Sequence, residues 1–196
     1  MTDLILASAS QVRATLLRNA GVEFSVEAAA VDEELIKQQM ADSDAAELAG
    51  LLADAKARKI SARHPGALVI GADQILECDG QLFDKPEDRA GAADHLRALS
   101  GNIHHLITAA CVLCDGEVEW QKTSTVRLTM RVLSDQFIDR YLDRAGDSVL
   151  RSVGAYRLED LGAQLFTDID GDYFTILGLP LLSLLDHLRR HGVIET

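Results

Sequence analysis

Short apolar runs alternate with amphipathic segments along this chain, and the alternation predicts strands and helices in turn. The run Leu4–Ala7 is followed by serines and then by apolar residues at helical spacing, which predicts a strand, a turn and a helix. A longer amphipathic helix is predicted over residues 44–63, which begin with a capping box. The continuous apolar run 67–72 predicts a strand that is covered on both faces and ends at Asp73.

The second half of the chain predicts three more helices and two long strands, and a hairpin turn at Asp79-Gly80 precedes them. In chain order they are a helix over Glu87–Leu99, strands over Ile103–Cys114 and Glu117–Val132, a helix from Ser134 through Arg144, and a helix over about Leu179–His191. The acidic segment 32–34 is predicted to be a loop. Together these elements predict an α/β fold in which helices flank a mixed sheet.

The composition narrows the classes of function. The 196 residues are 47% hydrophobic, enough to bury the core of one large or two small domains. With 19 basic and 31 acidic residues the net charge is -12, which opposes binding to nucleic acids and to anionic lipid. No apolar run has the roughly 18 residues of a membrane span, and the first residues lack a basic leader, so we predict a cytoplasmic protein.

The predicted turn after the first strand carries groups that suit a phosphate. Ser8, Ser10 and Arg13 lie at a helix N-terminus, where backbone N–H groups, hydroxyls and a guanidinium can all donate hydrogen bonds to an anion. A helix cap with a solvated arginine explains the same residues. The local pattern leaves both interpretations open.

Asp73 is harder to explain as an ordinary surface residue, because it directly follows a buried strand and therefore needs a partner. A metal ion, a basic side chain or a role in proton transfer would each satisfy it, as would a turn hydrogen-bonded to the backbone. Glu33 could supply a second metal oxygen or be a solvated loop residue. Lys56 and Lys85, each unremarkable alone, could add positive charge for a polyanion.

Several segments of this chain match, in order and spacing, the motifs of one protein family. The sequence resembles the Maf, or septum-formation-inhibitor, family of nucleoside triphosphate pyrophosphatases over nearly its whole length. The matching segments are Leu6-Ala7-Ser8-Ala9-Ser10 with Arg13, Val31-Asp32-Glu33, Ala55-Lys56-Ala57, Ile70-Gly71-Ala72-Asp73-Gln74, Lys85-Pro86, Leu99-Ser100-Gly101, Asp170-Gly171-Asp172-Tyr173 and Gly178-Leu179-Pro180.

The resemblance implies a single domain over residues 1–196, of Maf and inosine-triphosphatase type, with a central cleft. It implies hydrolysis of a nucleoside triphosphate between the α and β phosphates with a divalent cation such as Mg, Mn or Co. Members of the family are often dimeric, which leaves a homodimer open. Asp73 would be the proton acceptor or would organise the metal, and Glu33 would be its partner at the metal. The triphosphate would be held by Ser8, Ser10, Arg13, Lys56 and Lys85.

Three positions depart from the commoner family pattern and resemble a branch that acts on 7-methyl-GTP. Val12 stands where a second arginine is usual, Gln74 replaces a threonine after the aspartate, and Glu159 replaces a glutamine. A glutamate could accept hydrogen bonds from both N1–H and the 2-amino group of guanine, a donor pair that uracil lacks. The three residues are therefore predicted to select the base.

Two alternatives belong to other classes of function. The missing arginine favours a nucleotide-binding regulator of cell division without useful catalysis. Without the resemblance, an α/β interaction protein with solvated charges would explain the chain equally well. Turnover of triphosphates separates the enzyme from both alternatives.

Overall fold

The computed structural model describes residues 3–40 and 43–195, and within them seven strands form one mixed sheet that helices flank. This confirms the predicted fold class. The strands are β1 (Leu4–Leu6), β2 (Ser25–Val26), β3 (Leu68–Cys78), β4 (Gln81–Phe83), β5 (Ile103–Cys114), β6 (Glu117–Met130) and β7 (Phe166–Asp170). The α-helices are α1 (Gln11–Asn19), α2 (Glu33–Gln39), α3 (Ala45–Ser61), α4 (Arg89–Leu99), α5 (Asp135–Ala145), α6 (Tyr173–Ile176) and α7 (Leu181–Arg190). Among the described residues, no helix combines the length and the apolar character needed to cross a lipid bilayer.

The strands follow the order β2-β1-β3-β5-β6-β7, and β4 pairs with β3. β1 runs parallel to β2 and β3, whereas the pairs β3–β4 and β6–β7 are antiparallel. By their contacts the residues divide into two compact units. The first unit contains the described residues up to 74, residues 108–124 and the chain from 173 onward; the second contains residues 75–107 and 125–172.

Local signals in the sequence predicted three helix starts and one turn correctly. Ser10, Asp44 and Ser134 each cap a helix by accepting a backbone N–H three residues ahead. Asp79 and Gly80 both have positive φ, 50° and 79°, as a two-residue hairpin turn requires. These signals were readable because each one involves only neighbours along the chain.

Two predictions around the candidate site were wrong. β3 does not end at Asp73 but continues to Cys78, because its second half pairs with β4 and stays largely buried. The acidic segment is not a loop, since Asp32 caps α2 and Glu33 is the first residue of that helix. α2 has no buried residue, so its sequence lacks the apolar periodicity that identifies a helix.

Smaller differences concern element ends and one strand. α4 begins at Arg89 rather than Glu87, β6 ends at Met130, and the last helix is α7, over Leu181–Arg190. β7 was not predicted, because four of its five residues are exposed and carry no apolar pattern. Each difference is one that pairing or packing with a distant part of the chain decides.

A cluster of buried aliphatic residues holds the first unit together. It packs β1 and β3 against α1 and α7, and Leu6, Leu17, Ile70 and Leu184 within it are fully buried. Burying a side chain of this size stabilises the fold by roughly 1.5–3 kcal/mol. The cluster therefore fixes the strand-turn-helix segment that carries Ser8 to Arg13 against the middle of β3.

Candidate active site

The turn between β1 and α1 closes around one arginine. Ser10 caps α1 by accepting the backbone N–H of Arg13, and Ser8 Oγ accepts the N–H of Ser10 at 3.2 Å. The same Ser8 oxygen accepts a hydrogen bond from Arg13 Nη1, also at 3.2 Å. Both serines therefore fix the turn as well as supplying hydroxyls at a helix N-terminus.

The Arg13 guanidinium is buried and held by backbone atoms from distant segments. Nε donates to the carbonyl oxygen of Gly178 at 2.8 Å, across 165 residues of sequence, and Nη1 donates to that of Ala72 at 2.9 Å. Burial lowers the pKa of Arg13, and the negative charges of Asp73 and Glu33 oppose that shift. Two of its three nitrogens thus anchor the group, which makes Arg13 a fixed positive charge and not a mobile surface residue.

Lys56 brings the two predicted acidic residues together. Its ammonium nitrogen lies 2.6 Å from Asp73 Oδ1 and 2.8 Å from Glu33 Oε1. The side chains of Lys56 and Asp73 are each 11% exposed, whereas that of Glu33 is 43% exposed. Asp73 is therefore buried with a basic partner, one of the possibilities that the sequence left open.

Alternation along β3 explains why Asp73 meets α3. Gly71 and Asp73 lie on the same face of the strand, and a Cβ atom on Gly71 would be 2.1 Å from the carbonyl oxygen of Ala53 and 2.8 Å from Ala57 Cβ. Ala53, Lys56 and Ala57 share one face of α3. Because glycine at 71 lets the helix backbone approach the strand this closely, Lys56 reaches Asp73.

The carboxylates of Glu33 and Asp73 fit a cation that binds oxygen. In this structure the cation they share is the Lys56 ammonium, which contacts one oxygen of each. Mg²⁺ is commonly held by one or two carboxylates together with water and substrate phosphates. Within residues 3–40 and 43–195, no group of three or more His, Cys, Asp or Glu side chains could hold an ion. An ion at this pair would depend on phosphate and water for its other ligands.

Gln74 points to the opposite face of β3 from Asp73, as neighbours on a strand do. Its Nε2 donates to Thr108 Oγ1 at 2.8 Å and to the carbonyl oxygens of Thr175 and Ile176 at 3.0 and 3.1 Å. Val12, the other predicted base-selecting residue of the first unit, is half-buried on α1. Thr108 and the end of α6 were not singled out from the sequence, where nothing distinguishes them.

Lys85 and Glu159 belong to the second unit. Lys85 is exposed in the segment between β4 and α4. Glu159 Oε1 contacts Arg157 Nε at 3.0 Å and Nη2 at 2.9 Å. The first unit thus gathers six of the residues assigned to phosphate or metal, namely Ser8, Ser10, Arg13, Glu33, Lys56 and Asp73.

Cys111 and Cys114 form a CxxC motif on β5, and both cysteines are free. Cys111 is buried, and burial raises the pKa of its thiol to about 12. Cys114 is partly exposed and three residues farther along the strand, so its side chain points to the other face. The pair forms neither a disulfide nor an activated thiol.

Comparison with known proteins decides the family. The family model described as Maf-like protein matches residues 3–191. The chain belongs to the Maf-like family. A curated Maf-like relative from Paramagnetospirillum magneticum, named nucleoside triphosphate pyrophosphatase, is 54% identical over 190 residues, which are 96% of this chain and 98% of that protein. Another from Rhizobium meliloti, named 7-methyl-GTP pyrophosphatase, is 50% identical over 194 residues and 98% of each chain.

Among solved structures, a nucleoside-triphosphatase (dITP/XTP pyrophosphatase) from Mycobacterium abscessus aligns with 66% of this Maf-like chain and 73% of its own. The identity is 15% and the TM-score 0.37, so the family assignment rests on the sequence relatives alone.

Proposed function

We propose that this Maf-like protein hydrolyses a nucleoside triphosphate between the α and β phosphates, giving the monophosphate and pyrophosphate. The observation that carries the proposal is the buried Lys56–Asp73 pair, placed beside the anchored Arg13 in a chain whose relatives bear pyrophosphatase names. Burying ionised groups costs several kcal/mol each, so a buried ionic cluster commonly marks a functional site.

The phosphate-binding groups would come from two elements of the first unit. The N-terminus of α1 supplies backbone N–H groups and the hydroxyls of Ser8 and Ser10, and Arg13 adds its guanidinium. Lys56 would contact phosphate oxygens through the same ammonium that holds Asp73. Lys85, exposed in the second unit, is assigned to the triphosphate by the resemblance.

The charges of the cluster argue for an added cation. Arg13 and Lys56 are matched by Asp73 and Glu33, so these four groups together carry no net positive charge toward a polyanion. A divalent ion such as Mg, Mn or Co, held by Glu33 and Asp73, would neutralise the phosphates and acidify the attacking water. Oxygen ligands are what these ions prefer.

The chemical step needs few protein groups. The water oxygen forms a bond to the α-phosphorus, the bond from that phosphorus to the bridging oxygen breaks, and pyrophosphate leaves with the electron pair. Asp73 accepts the proton that the water loses. Arg13, Lys56 and the N–H groups of α1 stabilise charge that grows on the phosphate oxygens, which lowers the barrier.

For the base, we propose a guanine-type nucleotide such as 7-methyl-GTP, from Val12 and Glu159. Val12 replaces a cation with an apolar surface for a base. Glu159 offers a carboxylate to the N–H donors of guanine, and the Arg157 contact to Oε1 orients it. The Rhizobium meliloti relative carries the corresponding name.

Pyrophosphate release from a panel of triphosphates, with Mg, Mn or Co, tests both proposals. We expect equal amounts of monophosphate and pyrophosphate, and at least about tenfold faster turnover of 7-methyl-GTP than of UTP. In ¹⁸O-labelled water the label should appear in the monophosphate, because the attack is at the α-phosphorus. Comparable turnover of the two substrates would falsify the base assignment. Binding without turnover would instead favour a nucleotide-responsive regulator of cell division, the function that the missing second arginine supports.

A further inference from the structure

Two side chains of the first unit, Gln74 and Thr108, hold the end of α6. Gln74 Nε2 donates to the carbonyl oxygens of Thr175 and Ile176, and Thr108 Oγ1 donates to that of Thr175 at 2.9 Å. Thr108 also accepts from Gln74, at 2.8 Å. Both carbonyls and the threonine oxygen act as acceptors, so the amide nitrogen of Gln74 must face them.

The carbonyl groups of Thr175 and Ile176 belong to the turn at residues 175–178, whose Gly178 carbonyl contacts Arg13. The backbone N–H of Gly178 donates to Thr175 O at 3.0 Å, so Gln74, Thr108 and Gly178 all donate to one oxygen. The carbonyl of Gly178 then accepts from Arg13 Nε at 2.8 Å. Gly178 has a φ of 97°, and a Cβ there would lie 3.0 Å from Arg13 Nε, so the turn and the guanidinium fit closely.

We propose that Gln74 and Thr108 are positioning residues that hold the turn at 175–178 and, through the Gly178 carbonyl, the guanidinium of Arg13. The resemblance counts Gln74 among the residues that select the base. Its amide nitrogen is engaged on the face of β3 opposite Asp73, so we assign it a second role, in the affinity for the triphosphate. This inference rests on the proposed function in one respect, that Arg13 binds phosphate.

Kinetics of Gln74→Met and Thr108→Val on several triphosphates test whether the two residues position Arg13. We expect each variant to raise KM by about three- to tenfold, the range that one lost hydrogen bond produces, with a smaller effect on kcat. In Thr108→Val the ratio of kcat/KM between 7-methyl-GTP and UTP should stay unchanged. The double variant should lose less than the product of the two single effects, because both side chains act on one carbonyl.

Matched controls come from exposed residues of β6. Gln121→Met and Thr123→Val make the same changes at exposed positions and should leave KM unchanged. Thr108→Ser keeps the hydroxyl and should retain most of the wild-type KM. Wild-type KM values in both Gln74→Met and Thr108→Val would overturn the proposal, since neither side chain would then position Arg13.

A measurement without substrate keeps this inference separate from the enzyme activity. The Nε–H signal of Arg13 in ¹⁵N NMR should exchange slowly with water, because the group is buried and bonded to Gly178. We expect several-fold faster exchange in both Gln74→Met and Thr108→Val and no change in the two controls. Unchanged exchange in Gln74→Met and Thr108→Val would refute the positioning role even if the wild-type protein hydrolyses triphosphates. If the wild-type protein shows no turnover but exchange is faster in these two variants, the positioning role is supported and the proposed function is rejected.

Discussion

Two groups of buried polar side chains, one in each unit, differ in charge. In the first unit Lys56, Asp73 and Arg13 are buried as ionised groups. In the second, His104 is completely buried and bonds the hydroxyl of Tyr156 through Nε2 at 2.8 Å. Burial lowers the pKa of His104 to about 4 and raises the pKa of Tyr156, so both are neutral at pH 7.

The difference separates polar groups kept for packing from those kept for chemistry. A neutral hydrogen-bonded pair costs little to bury, whereas a buried ion pair is often no more stable than apolar residues of the same volume. Burying the His104–Tyr156 pair therefore costs less than burying the ionic cluster, although His104 Nδ1 has no hydrogen-bond partner among the described residues. We infer that the cluster is retained for its reaction, and four experiments test this distinction.

Asp73→Asn should have the largest effect. Asparagine keeps the volume but cannot accept a proton, so we expect pyrophosphate release to fall about 10²- to 10⁴-fold. Lys56 keeps Glu33 as a partner, so the free energy of unfolding should fall by less than about 3 kcal/mol. Asp54→Asn, which alters an ion pair with Arg58 on the outside of α3, is the control and should retain activity. Equal activity losses in the two variants would contradict the assignment.

Gly71→Ala should disturb the cluster without removing a charge. The new Cβ would overlap the Ala53 carbonyl, so α3 must move away and carry Lys56 with it. We expect urea unfolding to show a loss of about 1–3 kcal/mol, together with reduced turnover. Gly50→Ala is the matched change within α3. Nothing lies within 4 Å of a Cβ atom at position 50, so this variant should stabilise the protein by about 0.5–1 kcal/mol. A stable, fully active Gly71→Ala protein would show that the close approach does not matter.

Acid should lower the free energy of unfolding through His104, the histidine of the buried His104–Tyr156 pair. Its pKa is near 6.5 in the unfolded chain and about 4 in the folded protein, so the unfolded state binds the proton first as the pH falls. The stability present above pH 6.5 is therefore lost progressively down to pH 4, by up to ~3 kcal/mol for this group. The measurement is the pH dependence of unfolding in wild type and His104→Gln, which should lack this component. Parallel curves for the two proteins would argue against it.

Removing an exposed ion pair should have the smallest effect. Arg97 contacts Asp94 and Asp135, both at 2.8 Å, with all three side chains largely in water. Solvent screening makes such pairs weak, so Arg97→Ala should shift Tm by no more than about 2 °C and leave turnover unchanged. A large shift would mean that pairing, and not burial, distinguishes the cluster around Lys56.

The sequence predicted what depends on neighbours along the chain. Ser10 and Asp44 identified helix starts because a cap and the backbone N–H that donates to it lie within one turn. Asp73 was correctly expected to need a partner, since it follows a buried run. Its place in mid-strand was not predictable, because a polar residue inside a strand and one that ends it look the same until β4 pairs alongside.

Contacts across long stretches of chain could not be predicted at all. The resemblance placed Arg13 among the phosphate-binding groups, but nothing local indicates that the carbonyls of Ala72 and Gly178 hold it. The same is true of Thr108, an unremarkable residue on β5 whose hydroxyl meets the end of α6. Such contacts depend on the assembled sheet and have no signature in any short segment.

Two of the three acceptors that hold the Arg13 guanidinium are main-chain oxygens, so exchanging the amino acid at position 72 does not delete the acceptor there. Position 178 differs, since any side chain would crowd the guanidinium. Engineers who wish to retune substrate choice can therefore randomise the first of these sites within the limits of core volume, but should leave the second as it is.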